Sequence, residues 1–323
     1  MLISVENLTK VYKTYQRGSS FKETFKSLLV RKPLYVHALK GISFGIAAGE
    51  LVGFLGPNGA GKSTTLKILT GILYPSSGAV DVMGYTPWRD RKKYVAKIGA
   101  VFGQKSQLLW DIPPIDAFYL NKAIYAIPDR VFKRTMENMV ELLDLKDVIR
   151  KPTRQLSLGE RMKCEFIMAM LHQPEIVFLD EPTIGLDVIA KDKIREFILE
   201  MNKKGVTFIL TTHDLSDIEH LARRVIVVNH GEIVFDDSIA TLRRHWGEKK
   251  IIAVSTVHPL PDLTLPGITV TKRISDYQAE LELDLALYEL NKFIALVNKA
   301  STIRDLSVQE PQIEEAIKVL YKK

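Results

Sequence analysis

The stretch Gly56-Pro57-Asn58-Gly59-Ala60-Gly61-Lys62-Ser63-Thr64 decides the fold. It follows an apolar run, Leu51 to Leu55, that is typical of a buried strand, and it precedes a helical pattern. A glycine-rich turn between a strand and a helix N-terminus directs backbone N–H groups at the phosphates of a nucleotide. In such a loop Lys62 reaches the β- and γ-phosphates, and the Ser63 hydroxyl ligates Mg²⁺. The stretch therefore predicts a nucleoside triphosphate site; a turn that merely joins a strand to a helix is the alternative.

The length and composition set outer limits on the protein. Its 323 residues suit one large domain and a smaller one, and an apolar fraction of 46% is enough for a buried core. The formal net charge of +7 fits an anionic partner, whether a nucleotide, a membrane surface or a nucleic acid, and fits a solvated basic surface equally well. Cys164 is the single cysteine, which excludes an internal disulfide and a thiolate metal cluster and favours a reducing compartment.

Two features of the sequence bear on membranes. The residues from Met1 to Asn7 include Glu6 and lead into no long apolar stretch, so we expect no secretory signal. No window of about 18 residues stays apolar, so we expect no helix that spans a bilayer. Transport across a membrane would then need another chain to supply the path.

The order of the apolar runs predicts an α/β fold whose parallel sheet is covered on both faces. Predicted strands lie at 2–6, 39–46, 51–55, 94–102, 176–179 and 206–210, and predicted helices cover most of 111–171 and 190–202. Residues 13–37 are interpreted as an inserted loop whose basic and aromatic residues suit anionic lipid headgroups or, alternatively, solvent. Residues 246–323 are predicted to form a small α+β domain that ends in a helix at 312–321.

Two carboxylates, Asp180 and Glu181, follow the predicted strand at 176–179. The carboxyl end of a parallel strand beside a phosphate-binding loop is where a carboxylate that holds Mg²⁺ belongs. We expect Asp180 to hold the ion, directly or through water. Glu181 is expected to accept a proton from the water that attacks the γ-phosphate.

Four further motifs complete the pattern: Phe102-Gly103-Gln104, Leu156-Ser157-Leu158-Gly159-Glu160, Gly185-Leu186-Asp187 and Thr211-Thr212-His213-Asp214. Together with the phosphate loop and Asp180-Glu181-Pro182-Thr183, they resemble, in type and order, the motifs of the nucleotide-binding subunits of ATP-binding cassette (ABC) transporters. The resemblance covers roughly residues 2–240.

The resemblance implies a role for each motif. Gln104 senses Mg²⁺ and links the catalytic site to a helical subdomain. Ser157 and Gly159, in the signature loop, cap the ATP that the opposite subunit holds, and Asp187 lies between the two sites. His213 is the switch histidine that positions the γ-phosphate. Ser157 and Gly159 also precede a predicted helix at 161–172, whose N–H groups and dipole favour a phosphate; an ordinary Ser N-cap is the alternative.

The signature loop departs from the family pattern, which has two consecutive glycines followed by Gln. This chain has Leu158, Gly159 and Glu160 at those positions. We expect Leu158 to restrict the loop. A carboxylate near a triphosphate weakens ATP contact unless Glu160 points away, for which Arg161 and Lys163 are the expected partners.

Aromatic residues carry two more expectations from the resemblance. An aromatic side chain after the first strand stacks on adenine, which matches Tyr12, with Tyr15 and Tyr35 as alternatives. A groove at about 105–125 receives a helix of a membrane subunit. Its candidate residues, for which core packing is the alternative role, are Leu108, Trp110, Phe118 and Tyr119.

The resemblance also implies the fold and the assembly. Residues 1–245 would form an ABC-type P-loop ATPase domain with a RecA-like core and a helical subdomain at about 105–172. Two such subunits, identical or paralogous, would bind two ATP molecules head to tail and by hydrolysis drive transport through separate permease subunits at the cytoplasmic face of the membrane. The single cassette with its C-terminal extension resembles the exporter (ABC-2 type) branch. A soluble ABC ATPase without a transport role and an ATP-binding regulator without turnover are the alternatives, and no nucleic-acid partner is expected.

Overall fold

The computed structural model describes residues 1–15, 33–103, 105–212, 214–245, 249–261, 263 and 265–309. Gln104, His213, most of the predicted insertion and the predicted helix at 312–321 lie outside this part of the chain. The chain divides into two compact units, Met1–Asp236 and Asp237–Lys323. None of the described helices is long and apolar enough to cross a bilayer.

The first unit contains nine strands and seven α-helices among its described residues. The strands are β1 (Ile3–Tyr15), β2 (Pro33–Ile46), β3 (Leu51–Leu55), β4 (Ser77–Val82), β5 (Ile98–Phe102), β6 (Ile176–Asp180), β7 (Thr207–Thr211), β8 (Arg224–Asn229) and β9 (Glu232–Ser238), the last of which ends two residues past the unit's boundary. The helices are α1 (Lys62–Leu69), α2 (Arg91–Val95), α3 (Pro114–Ile124), α4 (Asp129–Leu142), α5 (Leu158–Met170), α6 (Val188–Lys203) and α7 (Leu215–Leu221).

A six-stranded sheet, in the order β5-β6-β7-β3-β8-β9, carries the most apolar runs of the sequence. The pairs β5-β6, β6-β7, β7-β3 and β3-β8 are parallel. Every residue of β3 and β7 is buried, as expected for parallel strands that are covered on both faces. Because parallel strands end at the same edge, the phosphate loop after β3 and the two carboxylates at the end of β6 lie on one side of the sheet.

A second, antiparallel sheet has the order β2-β1-β4. It packs on the first through a shared core in which the rings of Phe44 and Phe54 meet edge to face at 5.1 Å. The pairing of β1 with β2 continues to Tyr15 opposite Pro33. The predicted loop at 13–37 is therefore wrong at both ends, where the chain forms a two-stranded ribbon, and only residues 16–32 lie between the strands.

The predicted helical span at 111–171 consists of α3, α4 and α5 with a 3-10 turn at Thr153–Gln155. The predicted strand at 94–102 is wrong in its first part, which belongs to α2 and the turn after it. Tyr94 is buried there, and its hydroxyl donates to the carbonyl of Leu69 at 2.5 Å. Strands β4, β8 and β9 were not predicted.

The second unit is built on a four-stranded antiparallel sheet. It contains α8 (Ile239–His245), β10 (Lys249–Thr256), β11 (Ile268–Ser275), β12 (Gln278–Asp284), α9 (Leu290–Ala300) and β13 (Ile303–Gln309). The strand order is β11-β12-β10-β13. Alternate residues of β10 and β12 are buried with Phe293 and Val297 of α9, so one face of the sheet holds the core.

Candidate functional site

The loop between β3 and α1 needs glycine at two positions. A side chain at Gly56 would place its Cβ 2.2 Å from the carbonyl oxygen of Val228 in β8. Gly61 has φ +116°, and a Cβ there would lie 2.8 Å from the carbonyl oxygen of Ala38. Neighbouring backbone therefore fixes the loop's conformation and the direction in which its N–H groups point.

Lys62, the first residue of α1, is only 5% exposed. Its ammonium donates to the carbonyl oxygens of Gly56 at 2.5 Å and Pro57 at 3.1 Å. Burial lowers the pKa of Lys62, and the nearby carboxylates of Glu181 and Asp180 oppose this shift. The ammonium thus lies inside the phosphate loop, where it faces two carboxylates as well as the loop's own carbonyls.

Ser63 joins the phosphate loop to the end of β6. Its hydroxyl donates to Oδ1 of Asp180 at 2.9 Å, although 117 residues separate the two in sequence. Thr211, at the end of β7, donates to the same oxygen at 2.5 Å. Ser63 and Asp180 therefore lie together, as the sequence predicted. Thr211 is a third residue of this hydrogen-bonded group, and the sequence analysis missed it.

The residues around Asp180 fit a magnesium ion but do not form a complete metal site. Their donor atoms are hydroxyl and carboxylate oxygens, which Mg²⁺ prefers. No group of three or more His, Cys, Asp or Glu residues that could hold a metal occurs in the described ranges. An ion here would have to share its coordination with waters and phosphate oxygens, as Mg²⁺ does at nucleotide sites.

Glu181 adopts a backbone conformation that is rare for a residue with a side chain, with φ +52°. Its N–H donates to the carbonyl of Thr211 at 2.9 Å, and Gly103 N–H donates to the carbonyl of Asp180 at 2.9 Å. A Cβ at Gly103 would lie 2.2 Å from the Glu181 carbonyl oxygen. The turn of Asp180 and Glu181 is thus held between β7 and Gly103, and such strain is typical of functional sites.

Ser63, Asp180 and Glu181 line one cavity of about 480 Å³ at the carboxyl edge of the sheet. Its described lining consists of Asn58, Ser63, Lys67, Phe102, Gly103, Lys105, Asp180, Glu181 and Ile184. No residue of the signature loop belongs to it. The chain therefore brings the phosphate loop, Asp180 and Glu181 together and leaves Ser157 and Gly159 elsewhere.

The signature loop is the N-terminus of α5, which begins at Leu158 rather than at the predicted residue 161. Ser157 is the N-cap: its Oγ accepts from the N–H of Glu160 at 3.2 Å, while Oε2 of Glu160 accepts from the N–H of Ser157 at 2.8 Å. The expectation that the Glu160 carboxylate pairs with Arg161 or Lys163 is therefore wrong. The carboxylate is bound to the cap's own backbone, and the Ser157 hydroxyl keeps its proton as a donor.

The segment after the carboxylates packs on the signature loop. A Cβ at Gly159 would lie 2.9 Å from Cβ of Ala190 in α6, and a Cβ at Gly185 would lie 3.2 Å from Cδ2 of Leu158. Asp187 caps α6, since its Oδ1 accepts from the N–H of Ala190 at 2.8 Å. The signature loop and residues 185–190 thus form one continuous surface.

His213 lies outside the described ranges, but its neighbours Thr212 and Asp214 are described. Asp214 N–H donates to Oγ1 of Thr212 at 2.9 Å, and Lys191 of α6 donates to Oδ2 of Asp214 at 2.7 Å. Burial acts to raise the pKa of Asp214, and hydrogen bonds from Lys191 and Ser216 outweigh it, so the pKa is lowered. Both sides of the loop are therefore anchored, while the roles of His213 and Gln104 stay predictions.

Asp217 in α7 makes a second, buried anchor that the sequence analysis missed. It is fully buried and accepts from Nε of Arg195 at 2.8 Å and from Nη2 at 2.5 Å. The hydroxyl of Thr183 also donates to it. This cluster joins α6, the turn after Glu181 and the helix after His213.

The aromatic residues divide into two groups. Tyr12 lies in β1 with 38% of its side chain exposed, and the ammonium of Lys10 lies 5.2 Å from the ring centroid. Since Tyr12 pairs with Val36, Tyr35 lies on the opposite face of the ribbon, and only one of the two tyrosines can contact a given base. Of the four candidates for the docking groove, Leu108 and Phe118 are buried in the core, whereas Trp110 and Tyr119 are exposed.

Comparisons with known proteins agree with this arrangement. A family model described as ABC transporter matches residues 39–184. The linearmycin resistance ATP-binding protein LnrL of Bacillus subtilis is 28% identical over 85% of this chain and 91% of its own length. A daunorubicin resistance ATP-binding protein of Streptomyces coeruleorubidus is 31% identical over 67% of this chain and 68% of its own length. A dimeric bacterial ABC transporter cassette superposes with a TM-score of 0.62 at 25% identity, covering 73% of this chain and 98% of that structure.

The fold, the cavity and these relatives agree on one assignment. The α/β architecture is that of an ABC ATPase cassette, which confirms the fold class expected from the sequence. We conclude that the chain belongs to the ATP-binding proteins of the ABC transporter family.

Proposed function

We propose that the protein is the ATP-hydrolysing subunit of a membrane exporter and that it works as a pair of cassettes, identical or paralogous. The observation that carries this is the meeting of Ser63, Asp180 and Glu181 in one cavity that Ser157 does not line. A single copy thus has the phosphate-binding half of a site and also a signature loop that its own cavity does not use. A head-to-tail pair supplies each ATP with both halves.

The phosphate-binding half takes ATP with Mg²⁺. In this proposal the N–H groups of Gly59 to Thr64 surround the phosphates, and Lys62 exchanges the loop carbonyls for phosphate oxygens. Ser63 and Asp180 would hold the Mg²⁺ ion, which would supply positive charge against the charge of the phosphates. Tyr12 stacks on adenine, and Asp187 lies between the two sites.

Glu181 is the general base. Its turn is held by Thr211 and Gly103, so the carboxylate lies at the cavity beside Asp180. It accepts a proton from the attacking water while His213 positions the γ-phosphate and Gln104 senses the ion. Water oxygen forms the new bond to phosphorus, the bond to the β-phosphate oxygen breaks, and ADP and phosphate leave.

Separate permease subunits complete the transporter, and this subunit associates with the cytoplasmic face of the membrane through them. Exposed apolar side chains support this docking: Leu109, Trp110, Tyr119, Leu120 and Ile124 lie at or before α3. Two of the compared relatives are the linearmycin resistance and daunorubicin resistance ATP-binding proteins, and a role in resistance favours export. Residues 246–323 are proposed to serve a regulatory or interfacial role.

Two experiments test the proposal. Glu181→Gln should reduce steady-state ATP hydrolysis by roughly 10²- to 10⁴-fold, the usual contribution of a general base, while ATP still binds. Glu196→Gln, on the exposed face of α6, is the matched control and should hydrolyse ATP normally. Normal turnover by Glu181→Gln would remove the base assignment.

The second experiment isolates the chain from its own cell membranes in mild detergent and identifies what accompanies it. We expect a polytopic membrane protein. Recovery without any such partner would contradict the transporter assignment and favour a soluble ABC ATPase.

A further inference from the structure

Glu165 is a buried carboxylate in the middle of α5, two turns after the signature loop. It is 4% exposed and accepts hydrogen bonds from three consecutive residues. The donors are the hydroxyl of Ser106, the N–H of Gln107 at 2.9 Å and 3.1 Å to the two carboxylate oxygens, and the N–H of Leu108 at 3.3 Å. The Glu165 side chain on α5 thus binds residues 106–108, a turn of the segment that follows Gln104.

The same turn is tied to the core sheet. Lys105 N–H donates to the carbonyl of Phe102 at 2.8 Å, and the side-chain amide of Gln107 donates to the carbonyl of Ala100 at 2.7 Å. Both acceptors belong to β5, whose end borders the nucleotide cavity. Residues 105–108 therefore connect the nucleotide side of the sheet to α5 through Glu165.

Further contacts extend this connection to the other side of the signature loop. Arg154 N–H donates to the carbonyl of Trp110 at 3.0 Å, and Thr153 N–H donates to that of Ile112 at 3.1 Å. The guanidinium of Arg161 lies 5.8 Å from the centroid of the Trp110 ring. Residues 105–112, which we name the bracing segment, thus run beside residues 153–165 with Ser157 between the contact points.

We propose that Glu165 is a positioning residue that fixes the signature loop to the bracing segment and so sets the strength of ATP-driven dimerisation. The inference rests on the proposed head-to-tail function. With Glu165 in place, a displacement of β5 or of the exposed Trp110 moves Ser157 as well. Without it, the N–H groups of Gln107 and Leu108 lose a charged acceptor inside the protein, and the segment can rearrange without moving α5.

This position predicts a selective defect. The described partners of Glu165 are all in residues 106–108, so the phosphate loop of the same copy keeps its geometry when Glu165 changes. ATP binding by one copy should therefore persist. The contact of Ser157 with the ATP of the second copy should weaken, because its placement is no longer fixed.

The test uses the full chain with Glu181→Gln in every sample, so that turnover does not consume the nucleotide. Sedimentation velocity with ATP and Mg²⁺ measures dimerisation, and a fluorescent ATP analogue at low protein concentration measures binding by one copy. We expect Glu165→Ala to weaken dimerisation at least tenfold and to change the Kd of the analogue less than twofold. Glu165→Gln, whose amide oxygen still accepts one hydrogen bond, should give an intermediate loss.

Asn121→Ala is the matched control. Asn121 is also buried in the helical part, and its described side-chain hydrogen bond goes to the carbonyl of Met168 on α5 at 2.8 Å rather than to the bracing segment. It should leave dimerisation within twofold. An equal loss in Asn121→Ala and Glu165→Ala would mean that general loosening is responsible, and the inference would be wrong.

The remaining outcomes separate this inference from the proposed function. If the Glu181→Gln parent fails to dimerise with ATP, the head-to-tail proposal falls and this inference falls with it. If the parent dimerises and Glu165→Ala does so equally well, only the role of Glu165 is wrong. Should Glu165→Ala not fold, Glu165→Gln decides: dimerisation at the parent's strength would overturn the proposal.

Discussion

The ion pair of Asp217 and Arg195 offers the sharpest test of how the catalytic turns are held. Asp217 is completely buried and the Arg195 side chain is 11% exposed, so neither charge has much access to water. Asp217→Asn leaves the guanidinium without its buried countercharge. Removing one partner of a buried pair costs about 3–5 kcal/mol. In a domain of this size that corresponds to a fall in Tm of roughly 6–20 °C.

Urea and thermal unfolding of the full chain, monitored by circular dichroism, measure the loss of unfolding free energy and Tm in Asp217→Asn. A variant with Asp217→Leu and Arg195→Met removes both charges, and we expect it to recover most of the stability, since an apolar pair of similar volume avoids the desolvation cost. Lys193→Ala is the matched control, because its pair with Glu196 on the same helix is exposed and contributes about 0.5 kcal/mol or less.

The reasoning is refuted if Asp217→Asn unfolds within 1 kcal/mol of the parent, a threshold set by ordinary surface changes of roughly 0.5 kcal/mol. It is also refuted if the double variant is no more stable than the single one. Because Thr183 donates to Asp217, a confirmed loss should be accompanied by a lower rate of ATP hydrolysis as the turn after Glu181 loosens.

Three other predictions follow from single contacts. Gly103→Ala should cut ATP turnover by roughly 10²-fold, because the new Cβ would displace the carbonyl of Glu181 and a shift of about 1 Å near the reacting atoms has an effect of that size. Unchanged turnover would contradict this prediction. Glu160→Ala should lower the unfolding free energy by about 1 kcal/mol through loss of the capping box with Ser157, whereas Glu160→Gln should retain it, as urea unfolding would measure. Burial raises the pKa of Glu165 above its usual 4.5. The unfolding free energy of the parent relative to that of Glu165→Gln should therefore be greatest below pH 4.5 and fall as the pH rises through the folded-state pKa. A free-energy difference that grows with pH would contradict this prediction.

The parts of the site that the sequence predicted are those with local causes or with a simple topological consequence. The phosphate loop is a run of nine residues, and the positions of its glycines predict its conformation. The approach of Ser63 to Asp180 across 117 residues was also predictable, because both lie where parallel strands end at one edge of the sheet. The capping box of Ser157 and Glu160 had a sequence signature as well, Ser-x-x-Glu before an apolar run, and the expectation of Arg161 or Lys163 overlooked it.

The parts that were missed depend on tertiary packing. Nothing near Glu165 in the sequence indicates that its partners lie almost 60 residues earlier. Thr211 and Asp217 are ordinary polar residues at the ends of elements, and their roles appear only when neighbouring elements meet. The strand predicted at 94–102 was wrong at its start for the same reason. The hydrogen bond from the Tyr94 hydroxyl to the carbonyl of Leu69 is a tertiary contact that the local sequence does not indicate.

The altered signature loop can be understood from the two surfaces on either side of it. At position 159 glycine is required, since α6 approaches so closely that a Cβ would lie 2.9 Å from Ala190. At the preceding position, the side chain of Leu158 is partly exposed. The space for its side chain exists because Gly185 carries none: a Cβ there would lie 3.2 Å from Cδ2 of Leu158, and its φ of +73° favours glycine independently. Leucine in place of the first signature glycine is therefore compatible with the helix cap that holds Ser157. It adds apolar surface at the loop that the second cassette covers in the proposed head-to-tail pair.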